Sequence, residues 1–161
     1  MLNMMSVTKP SFHKKFATRS TVMAFGTFDH FHAGHESYLK QARELGDRFI
    51  VIIARDETVK NIKGRKPDHT ERQRRDAVKA SGLADQVVVG NSGDKYEVLR
   101  KYKPNVIALG YDQFTFTFRL GKFLIDNKMN VQVIRLQAYQ PLVYKTSLIR
   151  NQLLTKTYAE S

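Results

Sequence analysis

The most constraining feature of this sequence is a repeated alternation between short apolar runs and amphipathic segments. Five runs rich in β-branched residues lie at residues 21–25, 49–53, 87–89, 106–109 and 131–134. Segments with helical character lie between or after them, at residues 33–45, 70–80, 95–102, 118–127 and 146–154. Strands that alternate with helices predict parallel strands joined by right-handed crossovers. We therefore predict an α/β fold, a doubly wound five-stranded parallel sheet with the order 3-2-1-4-5.

The length of 161 residues and the hydrophobic fraction of 42% are enough for one domain with one core. Residues 21–155 are predicted to form this domain, and residues 156–161 a short C-terminal tail. Residues 1–20 carry Lys9, Lys14, Lys15 and Arg19 without any acidic residue. We interpret this segment as a mobile basic leader, with a nucleic-acid-binding arm as the alternative.

Charge and composition limit the partners and the compartment. No apolar run is long enough for a transmembrane helix, and the N-terminus lacks the apolar core of a signal peptide. Cysteine is absent, which excludes disulfides and thiolate chemistry, and a cytoplasmic protein fits these features best. The net charge of +12 favours anionic partners, either nucleic acid or phosphorylated metabolites.

The densest polar signal joins the first strand to the first helix. Residues 26–35 read Gly-Thr-Phe-Asp-His-Phe-His-Ala-Gly-His. Gly26 permits a tight turn, and the start of a helix presents free N–H groups to a phosphate. His32 and His35 are three residues apart and so share one helix face. Gly34 between them has no side chain, so a nucleotide can lie close to the backbone. Two imidazoles there can donate hydrogen bonds to phosphate oxygens as negative charge develops.

Zinc is the less favoured interpretation of this segment. His30, His32 and His35 are not accompanied by a His-Glu-x-x-His pattern or by a carboxylate at metal-site spacing. A single histidine here would be interpreted as a helix cap or a surface residue.

Further polar residues follow other strands at the same predicted edge of the sheet, where α/β proteins bind ligands. They are Lys63 in a basic loop after strand two, Gly110, Asp112 and Gln113 after strand four, and Thr146 at the start of the last helix. Each has a structural interpretation of its own, such as a solvated loop, a turn or a helix cap. Their joint placement favours a functional site.

Gly-Thr-Phe-Asp followed by His-x-Gly-His after a first strand resembles the cytidylyltransferase-like nucleotidyltransferases, which have a Rossmann-like fold. Lys63 resembles the basic residue that this family places on the NTP phosphates, and Arg74 the arginine of its second helix. Residues 144–150 resemble its phosphate-contacting Ser-Thr-Thr-type motif, with Lys145 in place of a small hydroxyl residue. The resemblance extends over residues 22–150.

The resemblance implies a reaction in which an acceptor phosphate attacks the α-phosphorus of an NTP and pyrophosphate leaves. It implies catalytic roles for His32, His35, Lys63 and Thr146. The implied nucleotide-binding residues are Gly26, Thr27, Phe28, Asp29, Gly34, Arg74, Gly110, Asp112, Gln113, Lys145 and Ser147. Mg²⁺ is expected on the substrate phosphates, with no metal site made by the protein. The resemblance also suggests a homodimer.

Within this superfamily, residues 54–60, 63–67, 73–75 and 109–113 resemble archaeal-type FAD synthases, which transfer AMP from ATP to FMN. Tyr111, Phe114, Phe116 and Phe118 are aromatic candidates to stack on the flavin. The alternative is a glycerol-3-phosphate cytidylyltransferase, which uses CTP and glycerol 3-phosphate. A different class, a non-catalytic α/β module that binds nucleic acid, is disfavoured because no RNA-binding motif is present.

Overall fold

The structure is a computed structural model that describes residues 19–139, 149, 150, 152 and 153. The side chain of Phe116 also lies outside this description. The strands are β1 (Thr21–Gly26), β2 (Arg48–Ile53), β3 (Gln86–Val89), β4 (Val106–Leu109) and β5 (Gln132–Arg135). The helices are α1 (Ala33–Arg43), α2 (Asp56–Lys63), α3 (Glu71–Ala80), α4 (Glu97–Tyr102), α5 (Phe114–Thr117) and α6 (Leu120–Asp126).

The five strands form one parallel sheet with the order β3-β2-β1-β4-β5, which confirms the predicted fold and strand order. The chain reverses its direction of winding between β1 and β4. In open α/β sheets such a reversal opens a crevice at the carboxyl ends of the two strands. The predicted ligand edge of the sheet is therefore centred on β1 and β4.

Successive side chains of the central strands point to opposite faces of the sheet, so the core has two layers. On one face Val22 and Ala24 of β1 pack with Leu39 of α1 and Val78 of α3. On the other face Met23 and Phe25 of β1 belong to a cluster that includes residues of α4 and α6. Because both faces are covered, the central strands are apolar along their whole length.

Two helices differ from the sequence-based expectation. Residues 56–63, of which the last three were expected in a basic loop and the rest were assigned no helix, form α2. This helix has acidic residues in the first turn, basic residues in the last and Gly64 as a left-handed cap. The favourable end charges and the glycine cap explain a helix that apolar spacing did not reveal. The helix expected at 118–127 is α6, which begins two residues later at Leu120, whose side chain is buried. The short helix α5, at Phe114–Thr117, precedes it and was not expected.

Both ends of the expected domain are only partly described. Ser20, the last residue of the expected leader, is buried, and its backbone N–H and hydroxyl both donate to Asp47. Residues 1–18 and 154–161 lie outside the described residues. Of the expected last helix, the four described residues are helical.

Gly46, which lies between α1 and β2, is required for space. A β-carbon there would lie 2.7 Å from Val22 Cγ2 and 2.8 Å from Ser20 Oγ.

In the part of the chain that the structure describes, no helix has the length and apolar character needed to cross a bilayer.

Candidate active site

A pocket of about 530 Å³ opens at the carboxyl ends of the central strands. It is lined by the loops after β1, β2, β3 and β4, by one side of α2 and by Arg150 of the last helix. Eleven residues predicted from the sequence are among its lining: Gly26, Thr27, Phe28, Asp29, His32, Gly34, His35, Lys63, Gly110, Asp112 and Gln113. The structure therefore brings most of the predicted site together.

The loop from β1 to α1 has an unusual backbone. Phe28 and His30 have φ values of 55° and 49°, in the left-handed region that non-glycine residues seldom adopt. The ring of Phe28 is buried and lies over Gly26, where a β-carbon would approach its Cε2 atom to 2.7 Å. Gly26 is thus needed for the close approach of this ring, which fixes the path of the loop beneath the pocket.

The two histidines of the motif lie against each other at the start of α1. Their ring centroids are 3.8 Å apart and the planes are inclined by 21°. His32 caps the helix, because its Nδ1 accepts the backbone N–H groups of Gly34 at 3.0 Å and of His35 at 3.4 Å. An Nδ1 that accepts hydrogen bonds leaves the hydrogen on Nε2. The cap therefore makes His32 a hydrogen-bond donor through Nε2.

The surroundings of both imidazoles disfavour their protonated forms. Burial, followed by the nearby His30, lowers the pKa of His32. Burial and then the charge of His32 lower the pKa of His35 to about 3. Nδ1 of His35 is buried and has no hydrogen-bond partner among the described residues. An unprotonated Nδ1 would place the hydrogen of His35 on Nε2 as well.

Asp29 is a buried carboxylate with several donors. Burial alone would raise its pKa, but hydrogen bonds from the backbone of Asp68 and from His69 hold the pKa below its usual value. Asp68 N–H lies 2.8 Å from Asp29 Oδ2, and His69 Nδ1 lies 2.8 Å from Oδ1. Asp29 lines the pocket but is directed largely toward the loop before α3, so its main visible role is to join two loops.

Arg74 differs from its expected role as a nucleotide contact. Its side chain is 1% exposed and is not part of the pocket lining. The guanidinium donates to the carbonyl oxygens of Thr27, Ala54 and His69 at 2.6, 2.8 and 3.0 Å, and to Asp56 at 2.7 Å. Arg74 therefore lies beneath the site and holds the ends of the strands β1 and β2 against α3. Four of the five N–H donors of the guanidinium are thus used by protein oxygens.

Positive side chains outnumber negative ones in the pocket lining. They are Arg55, Lys63, Arg65, Lys66, Lys95 and Arg150, whereas the acidic residues of the described lining are Asp29 and Asp112. Burial, and then the charge of Arg119, lowers the pKa of Lys95. Such an excess of positive charge attracts a polyanion such as a triphosphate. Lys63 is the last residue of α2 rather than part of a loop, and it lines the pocket.

The crevice between β1 and β4 is closed by two side chains. The amide N–H₂ group of Gln113 donates to the carbonyl of Phe25, and its oxygen accepts from Gly110 N–H at 2.9 Å. The hydroxyl of Tyr38 lies 2.9 Å from the carbonyl oxygen of Ala108 and 3.2 Å from that of Phe25. Gln113 and Tyr38 thus tie the two strands together and form the floor of the pocket.

Of the aromatic candidates, Tyr111 and Phe114 line the pocket. Phe114 is 66% exposed, and the guanidinium of Arg135 lies 4.6 Å from its ring centre. Phe118 is 87% exposed and is not part of the lining. Phe116 lies outside the described side chains, and Lys145, Thr146 and Ser147 lie outside the described residues. The phosphate contacts expected of these three residues stay predictions.

The less favoured zinc interpretation would use His30, His32 and His35. In the structure His30 instead lies near Asp29 and His69. Potential metal-ligand atoms of Asp29, His30 and His69 lie within 4.8 Å of one another. Arg150 Nη2 is 3.0 Å from Asp29 Oδ2. A guanidinium in contact with this carboxylate opposes a second cation by charge repulsion.

Comparisons with known proteins agree with this geometry. The model of a family described as cytidylyltransferase-like matches residues 23–152. The chain belongs to this family. It is therefore a nucleotidyltransferase.

Several members of the cytidylyltransferase-like family are similar to this chain. The FAD synthase of Thermococcus sibiricus is 40% identical over 141 residues, which cover 86% of this chain and 95% of that protein. The FAD synthase of Pyrococcus horikoshii is 41% identical over 140 residues, which cover 86% of this chain and 92% of that protein. A solved structure, the lipopolysaccharide core biosynthesis protein of Thermoplasma volcanium, is 33% identical with a TM-score of 0.71, covering 76% of this chain and 100% of that one.

Some residues of this nucleotidyltransferase site were not predicted from the sequence. Arg150, Lys95 and Arg55 line the pocket, and Tyr38 lies in its floor. A sequence signal existed for Tyr38, which is three residues after His35 and thus on the same face of α1. Arg150 pairs with residues 121 and 82 positions earlier in the chain, a relation that local spacing cannot reveal.

Proposed function

We propose that this chain is an FMN adenylyltransferase, an FAD synthase that converts ATP and FMN to FAD and pyrophosphate. The carrying observation is the near-complete overlap with FAD synthases at 40–41% identity, which cover 86% of this chain. The pocket supports the proposal because it combines a neutral histidine pair with an excess of positive side chains. Both features suit the handling of two phosphorylated substrates.

In the proposed reaction an oxygen of the FMN phosphate attacks the α-phosphorus of ATP. A new P–O–P bond forms, the bond between the α-phosphorus and the bridging oxygen to the β-phosphate breaks, and pyrophosphate leaves with the electron pair. The enzyme needs little acid–base chemistry, so its contribution is positioning and charge stabilisation. His32 and His35 would donate from Nε2 to the phosphate oxygens, and Lys63 would hold the triphosphate.

Two ring systems, adenine and isoalloxazine, need apolar faces in such a site. Val59 and Ile62 of α2 form one apolar flank of the pocket, and Tyr111 and Phe114 form another beyond β4. Ile62 is 49% exposed although it is a large apolar side chain. A bound ring would remove such surface from water. Each apolar flank could cover one of the two rings of FAD, so the presence of two flanks supports a dinucleotide product.

Mg²⁺ is proposed to bind mainly through the substrate phosphates, where it would neutralise charge on the leaving pyrophosphate. The donor set fits this role. Asp29 is engaged by Asp68 and His69, which leaves Asp112 as the other carboxylate of the described lining. The protein's own residues would then hold the phosphates rather than the ion. The cytoplasmic location and the homodimer stay predictions.

The test is pyrophosphate release with Mg²⁺, with ATP and CTP each combined with FMN and with glycerol 3-phosphate. We expect turnover with ATP and FMN only. His32→Ala is expected to lower kcat about 100-fold or more, since losing one donor to a developing charge has costs of this order. Arg72→Ala on the exposed face of α3 serves as the control and should leave the rate unchanged. Turnover with CTP and glycerol 3-phosphate instead of ATP and FMN would contradict the proposal.

A further inference from the structure

One arginine of the last helix joins carboxylates from two different loops of the pocket. Arg150 Nη2 lies 3.0 Å from Asp29 Oδ2, and Arg150 Nε lies 2.7 Å from Asp68 Oδ2. Asp29 follows β1, whereas Asp68 lies in the loop between α2 and α3. The guanidinium therefore connects three segments that are distant in sequence. Its side chain is 17% exposed, so the contacts are partly shielded from water.

Each of these carboxylates is also paired with a histidine. His69 Nδ1 lies 2.8 Å from Asp29 Oδ1, and His30 Nε2 lies 2.6 Å from Asp68 Oδ2. Asp29 is 2% exposed, and a buried carboxylate is costly unless it is paired and hydrogen-bonded. Arg150 supplies a positive charge that does not depend on histidine protonation. The network is thus centred on the arginine.

The loop that contains Asp29 needs such contacts. Its neighbours Phe28 and His30 both have positive φ values, a backbone state that persists only where the surroundings hold it. Two residues after His30 the chain reaches His32, which caps α1 and stacks on His35. The position of Asp29 therefore bears directly on where both imidazoles lie.

We infer that Arg150 is a positioning residue, which fixes the β1–α1 loop through Asp29 and Asp68 and anchors its own helical segment to these loops. This inference rests on the proposed function for its effect on rate, but not for its effect on structure. It differs from a direct contact between Arg150 and a phosphate. In that case Asp68 would have no part in the reaction.

The kinetic test compares Arg150→Ala and Asp68→Ala in the assay for FAD formation. Both are expected to lower kcat about 10- to 100-fold, because a small misplacement of reacting groups costs rate. KM for ATP and for FMN should change less than about threefold, because the side chains that contact the substrates are unchanged in these variants. Arg150→Lys should recover little, since one ammonium cannot reproduce a planar fork that reaches two carboxylates.

The double variant Arg150→Ala/Asp68→Ala separates the two explanations further. Residues that act as one unit are not additive, so the double variant should be no slower than the slower single variant. A direct phosphate contact predicts another pattern: a raised KM for ATP in Arg150→Ala, recovery in Arg150→Lys, and an unchanged rate in Asp68→Ala. That pattern would overturn the inference.

Amide hydrogen exchange without substrates tests the docking independently of activity. Residues 149–153 should exchange at least about tenfold faster in Arg150→Ala and Asp68→Ala than in the unaltered protein, because local opening is easier. The matched control is Arg100→Ala, since Arg100 also binds two carboxylates, Asp94 at 3.0 Å and Glu97 at 2.6 Å, away from the pocket. It should change neither exchange at 149–153 nor kcat. Unchanged exchange in both pocket variants would overturn the inference, whereas a protein that makes no FAD would refute only the proposed function.

Discussion

Among the residues that the structure describes, His35 has a strongly altered ionisation. Burial and the adjacent His32 lower its pKa to about 3, from 6.5 in an unfolded chain. The imidazole is therefore neutral at the pH of the cell. A neutral ring can donate from Nε2 to a phosphate without the cost of burying a positive charge. Stacked rings 3.8 Å apart could not both be protonated without repulsion.

This depressed pKa predicts a pH effect on stability with a defined sign. Below pH 6.5 the unfolded chain binds a proton that folded His35 does not, so the free energy of unfolding falls as pH decreases from 6.5 towards 3. Denaturant titrations should show a weaker dependence in His35→Gln over this range than in the unaltered protein. In NMR spectra the His35 ring should remain neutral from pH 8 to 5. A midpoint near 6.5 for His35 in the folded protein would contradict this account.

Arg74 acts at the scale of elements, because it joins the ends of β1 and β2 to α3. Its three carbonyl partners and Asp56 are all left without this donor in Arg74→Ala. Removing one partner of a buried ion pair costs about 3–5 kcal/mol, so thermal unfolding should shift down by several degrees. Arg75→Ala, at the next residue of the same helix and on its partly exposed side, is the control and should unfold within about 0.5 kcal/mol of the unaltered protein. An Arg74→Ala variant of unchanged stability and a raised KM for ATP would restore the expected nucleotide contact.

The elements differed in how well the sequence predicted them. Strands covered on both faces are continuous apolar runs in the sequence, and these strands were predicted correctly. The helix α2 was missed because Val59 and Ile62 are its only large apolar residues. A signal for the buried Arg74 was present, since it lies four residues before the buried Val78 and so on the same helix face. The network of Arg150 depends on contacts across the whole fold, and no local pattern carries that information.

At the scale of the whole molecule, the sheet order explains why the site lies where it does. The winding reverses between β1 and β4, and the loops after the central strands converge on one pocket. Six of the 27 lysines and arginines of the chain lie in its lining, against two acidic residues. The excess of charge can thus be explained by two phosphorylated substrates. Nucleic acid is not needed to account for it.

The most direct test of this account is a single-turnover experiment with ATP labelled at the α-phosphate, excess enzyme, FMN and Mg²⁺. We predict that all transferred label appears in FAD, with one pyrophosphate released for each FAD formed and no label on acid-quenched protein. His32→Ala should slow this transfer without changing the product. Label retained on the protein, or released as AMP without FAD, would contradict direct adenylyl transfer to FMN in the histidine pocket.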